Sequence, residues 1–293
     1  MLIQPQKHNL LVPGRTLYIT FILLALAAIL LYYGVFIEPQ QIRIRSVVIH
    51  NRTLARVLPA QKALLLSDFH LGSTTPAHMN TLLRTIKKIA PDIIFLTGDY
   101  VAWSGDAKVY TNAIGFLEKL KAPLGTYGVL GESDYRLSRQ SCQFCHLPGN
   151  EYSQPKAPPL FLDNAMVRIE TGNGVLNIFG LDRLTDKIDH TVTRLKTLPR
   201  EAPIIVLSHS SEISRHIDSQ RLMLILSGDT HGGQIRLPAL FWKIFRYKPN
   251  PEHIYGLYRD GRKTIYVTSG IGTSFPHFRI GVPPEIVVLE FRP

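Results

Sequence analysis

Short runs of apolar residues, each followed by a polar cluster, recur along most of the chain. Several runs contain no polar residue, which is typical of strands that are buried on both faces. The run at residues 42–50 alternates between apolar and polar residues, as in a strand with one exposed face. The strands predicted by this pattern are residues 42–50, 63–67, 93–97, 128–130, 166–169, 175–179, 204–207, 223–226, 264–268 and 286–291.

Three segments between these runs have the apolar spacing of helices. They are residues 76–90, 107–120 and 187–198, and Pro91 ends the first of them. Strand, polar cluster and helix therefore alternate, which predicts an α/β fold. In open α/β sheets ligands bind beyond the carboxyl ends of the strands, so the polar clusters are candidate functional residues.

The N-terminal part of the chain contains an uninterrupted apolar stretch at residues 16–37, without a charged residue. About 20 such residues can cross a bilayer as a helix. Tyr18, Tyr32 and Tyr33 lie near its ends, where amphipathic rings favour the membrane interface. We predict a retained transmembrane anchor. The alternatives are a signal peptide, whose apolar region is normally shorter, and a buried core helix, which is rarely apolar on every side.

Positive charge is unevenly distributed around this stretch. Lys7 and Arg15 precede it, whereas four arginines follow it closely, at positions 43, 45, 52 and 56. Because cytoplasmic flanks are enriched in positive charge, the sequence favours a cytoplasmic location for the larger C-terminal part, at an inner membrane.

The length and composition are consistent with one catalytic domain and an anchor. The chain has 293 residues, of which 45% are hydrophobic, enough for a sizeable core. We divide it into an N-terminal flank at residues 1–15, the anchor at 16–37, a linker with the first strand at 38–62, and a catalytic domain at 63–293.

The chain is basic, with a formal net charge of +11 and a pI near 9.7. A basic domain beside a membrane anchor is attracted to anionic headgroups and anionic substrates. Nucleic acid is not favoured as a partner, because the chain has no recognisable reading motif and no long basic run.

Aspartate, glutamate and histidine follow five of the predicted strands. Together they could supply ligands for two divalent ions such as Mn, Mg, Fe or Zn. A lone histidine is more often an ordinary core residue, but the repetition at strand ends favours a metal site. The candidates are Asp68, His70, Asp99, Glu132, Asp134, His209, Asp229 and His231.

These clusters resemble the signatures of the calcineurin-like metallophosphoesterases. D-F-H, G-D, G-E-S-D, S-H-S and G-D-T-H-G-G-Q correspond in order to the family forms D-x-H, G-D, G-N-H-D, a lone His and G-H-x-H. The likeness runs from about residue 63 to residue 293. G-D-T-H-G-G-Q-I-R-L-P and R-I-G-V-P-P-E-I are similar to the membrane-anchored bacterial subgroup. The resemblance implies a four-layer α/β/β/α sandwich with two metals at its edge.

The resemblance also implies a role for each motif residue. Asp68, His70 and His231 would hold the first metal, and Asp99 would bridge both. The second would be held by His209, Glu132 and Asp229, where the family has Asn instead of Glu132 and His instead of Asp229. Both replacements still offer oxygen ligands and make the second site more anionic, which favours Mn or Mg over Zn. The alternative is a second site that is weak or empty.

The catalytic positions implied by the resemblance are Asp99, Ser133 and Asp134. Ser133 replaces the histidine of G-N-H-D, which is thought to protonate the leaving group. Serine is not a general acid near neutral pH, so an alkoxide leaving group would depart slowly. A phosphate leaving group, whose second pKa is about 6, does not need the proton. The sequence therefore favours cleavage of a pyrophosphate or an activated ester.

Several basic and aromatic residues are candidates for contact with substrate or membrane. Arg136, Arg236 and Arg279 could bind phosphate, but an ordinary surface residue is the favoured interpretation of each. Residues 238–248 alternate aromatic and basic side chains, including Trp242, Lys243 and Arg246, which suits a lipid headgroup layer. The alternative is an insertion that packs on its own domain.

The two cysteines, Cys142 and Cys145, precede His146 in C-Q-F-C-H. This spacing matches haem attachment, but short patterns arise by chance. A surface loop is the favoured interpretation, and a redox or accessory metal pair is the alternative.

The combined interpretation is a membrane-anchored, two-metal hydrolase of a lipid-linked phosphoester or pyrophosphate. Within the family, the UDP-2,3-diacylglucosamine pyrophosphatases of lipid A synthesis resemble this set of features: an anionic lipid substrate, manganese and a phosphate leaving group. The alternatives are a broader phospholipid or cell-envelope phosphoesterase, and a degenerate metal-binding or scaffold protein without turnover.

Overall fold

Two six-stranded mixed sheets form the body of the protein in the computed structural model. The structure describes residues 14–102, 107–134, 159–181, 188–218, 220–236 and 253–293. The first sheet has the strand order β1-β12-β2-β3-β4-β5 and the second has the order β10-β11-β9-β8-β7-β6. The strands are β1 Arg43–His50, β2 Ala63–Leu66, β3 Ile93–Leu96, β4 Thr126–Gly128, β5 Leu160–Phe161, β6 Ala165–Glu170, β7 Val175–Leu181, β8 Ile204–Ser208, β9 Met223–Ser227, β10 Gly256–Asp260, β11 Lys263–Val267 and β12 Glu285–Arg292.

Five α-helices accompany the sheets within the described ranges. They are α1 Gly14–Tyr32, α2 Arg52–Val57, α3 Pro76–Ile89, α4 Ala107–Leu117 and α5 Ile188–Thr197. Short 3₁₀ turns at Glu132–Asp134 and His231–Gly233 follow strands at the carboxyl edge.

Alternate residues of each strand face opposite apolar layers, as the pleat of a strand requires. Along β2, Leu65 joins a central cluster with residues of the second sheet, whereas Leu64 faces residues of α3 and α4. Along β8, Ile205 faces the central cluster and Val206 faces residues of α5. The layers are therefore helix, sheet, sheet and helix, which confirms the predicted α/β/β/α sandwich.

Most predicted strands are confirmed, with differences at short elements. The strand predicted at residues 128–130 ends earlier, at Gly128, because its ladder with β3 stops where Leu96 pairs with Gly128. Helix α2 was not predicted; the Oδ1 atom of Asn51 accepts hydrogen bonds from the amides of Thr53 and Leu54 at its start. Strands β5 and β10 were also not predicted.

The apolar N-terminal helix α1 continues into a π-helical turn, Tyr33–Ile37, and a 3₁₀ turn, Glu38–Gln40. This apolar segment, Arg15–Gln40, is long and apolar enough to cross a membrane, and only 6% of its most apolar window is buried. The exposed helix bears large side chains such as Phe21 and Leu24, which are 70% and 65% exposed. Such a continuous exposed apolar surface is consistent with an anchor.

Candidate metal centre

Four strands from the two sheets end at one edge of the sandwich, and the candidate ligands lie directly beyond them. Asp68 and His70 follow β2, and Asp99 follows β3 of the same sheet. His209 follows β8, and His231 follows β9 of the second sheet. All five are buried, with at most 9% of the residue exposed. The fold therefore gathers side chains that are far apart in sequence, as the strand-end pattern suggested.

Asp68, His70 and His231 form a first group in which one ligand atom from each residue lies within 4.8 Å of the others. The Nε2 atoms of His70 and His231 are 3.0 Å apart, and their rings stack with centroids 4.9 Å apart. Nε2 of His231 is 3.6 Å from Oδ1 of Asp68. This is the set that the resemblance assigned to the first metal.

Asp68, Asp99 and His209 form a second group with the same 4.8 Å limit. Nε2 of His209 lies 3.5 Å from Oδ1 of Asp99, and Nε2 of His70 lies 3.6 Å from Oδ2 of the same carboxylate. Asp99 therefore lies between His70 of the first group and His209 of the second, and Asp68 belongs to both groups. The bridging role of Asp99 stays a prediction. Nδ1 of His209 is 2.7 Å from the carbonyl oxygen of Thr97, which leaves Nε2 directed at the carboxylates.

The backbone around the site is unusual in ways that suit close packing of ligands. Asp68, His70, Asp99 and His231 all have positive φ angles, between 44° and 54°. Such angles are uncommon for residues other than glycine and cluster at functional sites. Gly131 is required next to Asp99, because a Cβ atom at that position would lie 2.2 Å from Oδ1 of Asp99.

Burial and mutual charge determine the ionisation of the site. Burial raises the pKa of Asp68 to about 7, with His209 acting in the opposite direction. Burial would lower the pKa of His209, but the carboxylates of Asp99, Asp68 and Asp229 outweigh it and raise the value to about 10. Burial lowers the pKa of both His70 and His231. The last two imidazoles are therefore neutral near neutral pH, the form in which histidine binds metal.

The donor set fits divalent cations. The facing Nε2 atoms of His70 and His231 can share at most one hydrogen between two neutral rings, so at least one lone pair points at the other ring. A cation between these nitrogens and Asp68 would satisfy all three ligands. A second position among Asp68, Asp99 and His209 offers carboxylate and imidazole atoms. The residues present can therefore hold two metals, the number bound by the family.

Glu132 and Asp229, the two departures from the family motifs, lie at the margin of these groups. Oδ1 of Asp229 is 3.9 Å from Nε2 of His209, and its side chain is 38% exposed. Burial raises the pKa of Asp229, and nearby Glu132 contributes to the rise. Neither carboxylate belongs to the two tight groups found among the described residues, so their role as metal ligands remains a prediction.

Ser133 and Asp134 support Asp99. The amide of Ser133 donates a hydrogen bond of 2.9 Å to Oδ1 of Asp99. Asp134 is fully buried, and its carboxylate accepts hydrogen bonds from the amides of Asp99, Tyr100 and Gly131 at 2.8 to 2.9 Å. With its oxygens occupied in this way, Asp134 positions the Asp99 loop, and its catalytic role stays a prediction.

Arg279 differs from its predicted place at the surface. The residue is 0% exposed, and its guanidinium donates to the carbonyl oxygens of Ser269, Gly272 and Val282. Its Nη2 atom is 3.4 Å from Nδ1 of His231, so Arg279 packs against a candidate ligand from within the protein interior. Burial lowers its pKa to about 10.

Arg236 is exposed, and its guanidinium carbon lies 5.7 Å from the centre of the Tyr255 ring. The other predicted contacts and the cysteine motif lie outside the described residues; they are Arg136, Trp242, Lys243, Arg246, residues 238–248, Cys142, Cys145 and His146.

Two supporting features were not predicted from the sequence. The backbone carbonyl of Thr97 orients His209. Every residue has such a carbonyl, so the residue type at position 97 could not predict this contact. Glu285 is buried and accepts hydrogen bonds from Thr268, the Ser269 amide and Tyr255. The sequence signal for the burial of Glu285 was its position in P-P-E-I, at the start of a strongly apolar strand.

Comparisons with known proteins agree with this geometry. The calcineurin-like phosphoesterase family pattern matches residues 62–233. The chain is 30% identical over 233 residues to the uncharacterized metallophosphoesterase YkoQ of Bacillus subtilis, covering 78% of this chain and 84% of that protein. It is 28% identical over 279 residues to the UDP-2,3-diacylglucosamine pyrophosphatase LpxG of Chlamydia trachomatis, covering 77% and 82% of the two chains. It is 29% identical over 288 residues to a transmembrane protein with metallophosphoesterase domain of Danio rerio, covering 93% and 62%.

Proposed function

The chain belongs to the calcineurin-like phosphoesterase family and is a metal-dependent phosphoester hydrolase, and from this premise we propose that it is a membrane-anchored pyrophosphatase of a lipid-linked nucleotide sugar. The proposed substrate is UDP-2,3-diacylglucosamine, which would be cleaved to UMP and lipid X in lipid A synthesis. The similarity to the Chlamydia protein of that name and the apolar helix α1 support this choice.

The observation that carries the proposal is Ser133 beside the candidate bridging ligand. Its amide donates a hydrogen bond to Asp99, and its hydroxyl oxygen is buried; by its position in the motif it replaces the family's histidine. A serine hydroxyl does not donate a proton at neutral pH, and loss of a general acid typically costs a hundredfold or more, of order 10² to 10⁴. UMP leaves as a phosphate, whose second pKa is about 6, so its departure needs no proton.

The remaining residues prepare the site for phosphoryl chemistry. When bound, two divalent ions supply positive charge to the phosphoryl oxygens and activate water for attack on phosphorus. His70 and His231 are held neutral by burial. Burial alone would raise the pKa of Asp99, but His209 and the hydrogen bond from the Ser133 amide outweigh it and lower that pKa. Asp134 fixes the loop that carries Asp99.

Metal identity and location are part of the proposal. Glu132 and Asp229 add carboxylate oxygens near His209, a harder donor set that favours Mn or Mg over Zn. The arginines that follow helix α1 favour a cytoplasmic catalytic domain at the inner membrane, where Arg43 and Arg45 are exposed.

The test is release of UMP from UDP-2,3-diacylglucosamine by the full chain in detergent with Mn. We expect metal-dependent release that is lost in Asp68→Ala, because Asp68 belongs to both ligand groups. Asp163→Ala, at an exposed position, is the matched control and should retain activity.

Three outcomes contradict the proposal in different ways. Faster cleavage of simple alkyl phosphate monoesters would refute the argument from Ser133. Hydrolysis of phospholipids without UMP release would favour a broader envelope phosphatase. Bound metal without turnover on any phosphoester would favour a degenerate metal-binding protein.

A further inference from the structure

The chain passes from helix α1 into the first sheet at the same edge that carries the metal centre. Strand β1 is parallel to β12, with Arg43 opposite Glu285. Strand β12 is antiparallel to β2, with Val287 opposite Leu65, so Glu285 is level with Ser67, directly before Asp68. Strands two places apart are separated by about 10 Å. The start of β1 therefore lies at the metal-bearing edge of the sandwich.

The end of the apolar segment is bound to a loop at this edge, residues 272–281. The amide of Arg279 donates to the carbonyl oxygen of Gly34 at 2.9 Å, and the amide of Gly281 donates to Oε2 of Glu38 at 2.9 Å. A Cβ atom at Gly34 would lie 3.0 Å from Ile280, so the two backbones approach closely. Glu38 is only 2% exposed. The apolar segment is therefore docked on the catalytic domain and is not a free tether.

The same loop is hydrogen-bonded to the segments that carry the candidate metal ligands. The amide of Gly272 donates to the carbonyl oxygen of Asp68 at 2.6 Å. The amide of Ser274 donates to the side chain of Gln234 at 3.1 Å, and the amide of Ile280 donates to the Gln234 carbonyl at 2.9 Å. Gln234 directly follows the turn that begins with His231. The loop therefore lies between the end of the apolar segment and the metal centre.

The tip of the loop presents an aromatic side chain to its surroundings. Phe275 is 88% exposed, more than any other large hydrophobic residue described, including those of helix α1. Its ring makes an edge contact with His277, with centroids 6.3 Å apart. A single exposed apolar residue is ordinary at a protein surface. Phe275, however, lies on a loop that is hydrogen-bonded to the end of a candidate transmembrane segment, and aromatic rings favour the membrane interface.

The position of Gly34 gives the depth of the loop. Gly34 lies six residues before Gln40, the end of the apolar segment, or about 9 Å along a helix. Each headgroup layer is roughly 5–8 Å thick. The contact between Gly34 and Arg279 therefore places the base of the loop near the boundary between headgroups and acyl chains.

The surface near this edge also carries positive charge. Arg45 donates a hydrogen bond of 2.6 Å to the hydroxyl of Tyr255, and its guanidinium carbon is 5.0 Å from the ring centre. Arg236 approaches the same ring at 5.7 Å. Two arginines on one ring suit anionic headgroups, which favours a lipid surface over an apolar protein partner.

We infer that the loop of residues 272–281 is a membrane-contacting element that holds Phe275 in the lipid interface beside the metal centre. The occupant of this surface is the bilayer into which helix α1 inserts. The inference deepens the proposed function, on which its kinetic consequence rests: a substrate with acyl chains reaches the metal centre without leaving the membrane surface.

A labelling experiment tests the contact itself. The full chain carrying Cys142→Ser, Cys145→Ser and Phe275→Cys is labelled with a fluorophore and reconstituted in vesicles of phosphatidylethanolamine and phosphatidylglycerol with brominated acyl chains. Lys88→Cys in the same background is the matched control, because Lys88 is exposed in the last turn of α3, at the opposite end of the strands. We expect strong quenching at position 275 and little at position 88. Equal quenching at the two positions would overturn the inference.

A kinetic experiment tests its consequence. The measurement is a ratio: kcat/KM for the lipid-linked pyrophosphate in vesicles divided by kcat/KM for soluble bis(p-nitrophenyl) phosphate. Phe275→Ser is expected to lower this ratio by roughly tenfold, and Phe275→Trp should restore it. A purely structural role would lower both rates and leave the ratio unchanged, which would refute the consequence. If the lipid-linked substrate is not cleaved at all while the position 275 label is quenched, the proposed function fails and the membrane contact stands.

Discussion

His209 is the residue whose proton most directly opposes metal binding. The carboxylates of Asp99, Asp68 and Asp229 outweigh burial and raise its pKa to about 10, so the metal-free protein carries His209 protonated at neutral pH. A metal must displace this proton, because only neutral imidazole is a ligand. We predict that the affinity of the protein for Mn rises as the pH increases to about 10, by as much as about tenfold per pH unit.

Calorimetry in buffers of different ionisation enthalpy measures the protons released on Mn binding. Release of at least one proton at neutral pH is expected, and affinity that stays flat as the pH rises would contradict the prediction. The same raised pKa has a consequence for folding. Protonated His209 makes its full stabilising contribution to the metal-free protein below pH 6.5, the pKa of histidine in the unfolded chain. This contribution is lost as the pH rises through about 10.

Ser133 is the residue that we expect to determine the leaving group. Ser133→His restores the histidine of the family motif, so we predict faster cleavage of alkyl phosphate esters, by up to about a hundredfold, with little gain on the pyrophosphate. Ser133→Ala is the matched control and should change neither rate strongly, because the bond to Asp99 is made by the backbone amide. The measurement is the ratio of the two kcat values in each variant. An equal gain on both substrates would show that the histidine does not act by protonating the leaving group.

Among the elements, helix α2 illustrates a local signal that is easy to overlook. It has only six residues, Arg52–Val57, yet it buries Leu54 and Val57 in the central cluster. Asn51 begins it by accepting two amide hydrogen bonds. We predict that Asn51→Ala lowers the free energy of unfolding by about 1 kcal/mol, whereas Asn51→Ser retains most of the cap. Urea denaturation followed by circular dichroism measures the difference, and equal stability of the two variants would contradict it.

The elements that were predicted correctly are those whose signal is local. Strands β2 and β8 are uninterrupted apolar runs, with a serine directly after β2 and at the end of β8. The same pattern located Asp68 and His209 at the site. Strand β5 has only two residues and pairs with β4, far earlier in the chain, which composition does not reveal. Strand β10 pairs with the adjacent β11, but only Gly256 of its residues is buried, so no apolar run marks it. Arg279 shows the same limit in a side chain. An arginine is usually exposed, and only the assembled carbonyls of Ser269, Gly272 and Val282 explain its burial.

At the scale of the whole molecule, the two sides of helix α1 differ in both charge and bulk. Four arginines lie within residues 43–56, against Lys7 and Arg15 before the apolar stretch at residues 16–37. In the proposed membrane-anchored protein, the docking of Glu38 on Gly281 and of Gly34 on Arg279 places the catalytic domain and the end of the helix on the same side of the membrane. The orientation of the helix therefore decides the compartment of the active site.

We predict that the C-terminus is cytoplasmic, because positively charged flanks are retained on that side. A green fluorescent protein fused after Pro293 should fluoresce in a bacterial host, whereas alkaline phosphatase fused at the same position should be inactive, since it requires an oxidising compartment for its disulfides. Both reporters fused to a membrane protein of known orientation serve as controls. An active phosphatase with a dark fluorescent fusion would place the metal centre outside the cytoplasm. It would also remove the charge argument for the orientation, while the docking of the helix end on the catalytic domain would still hold.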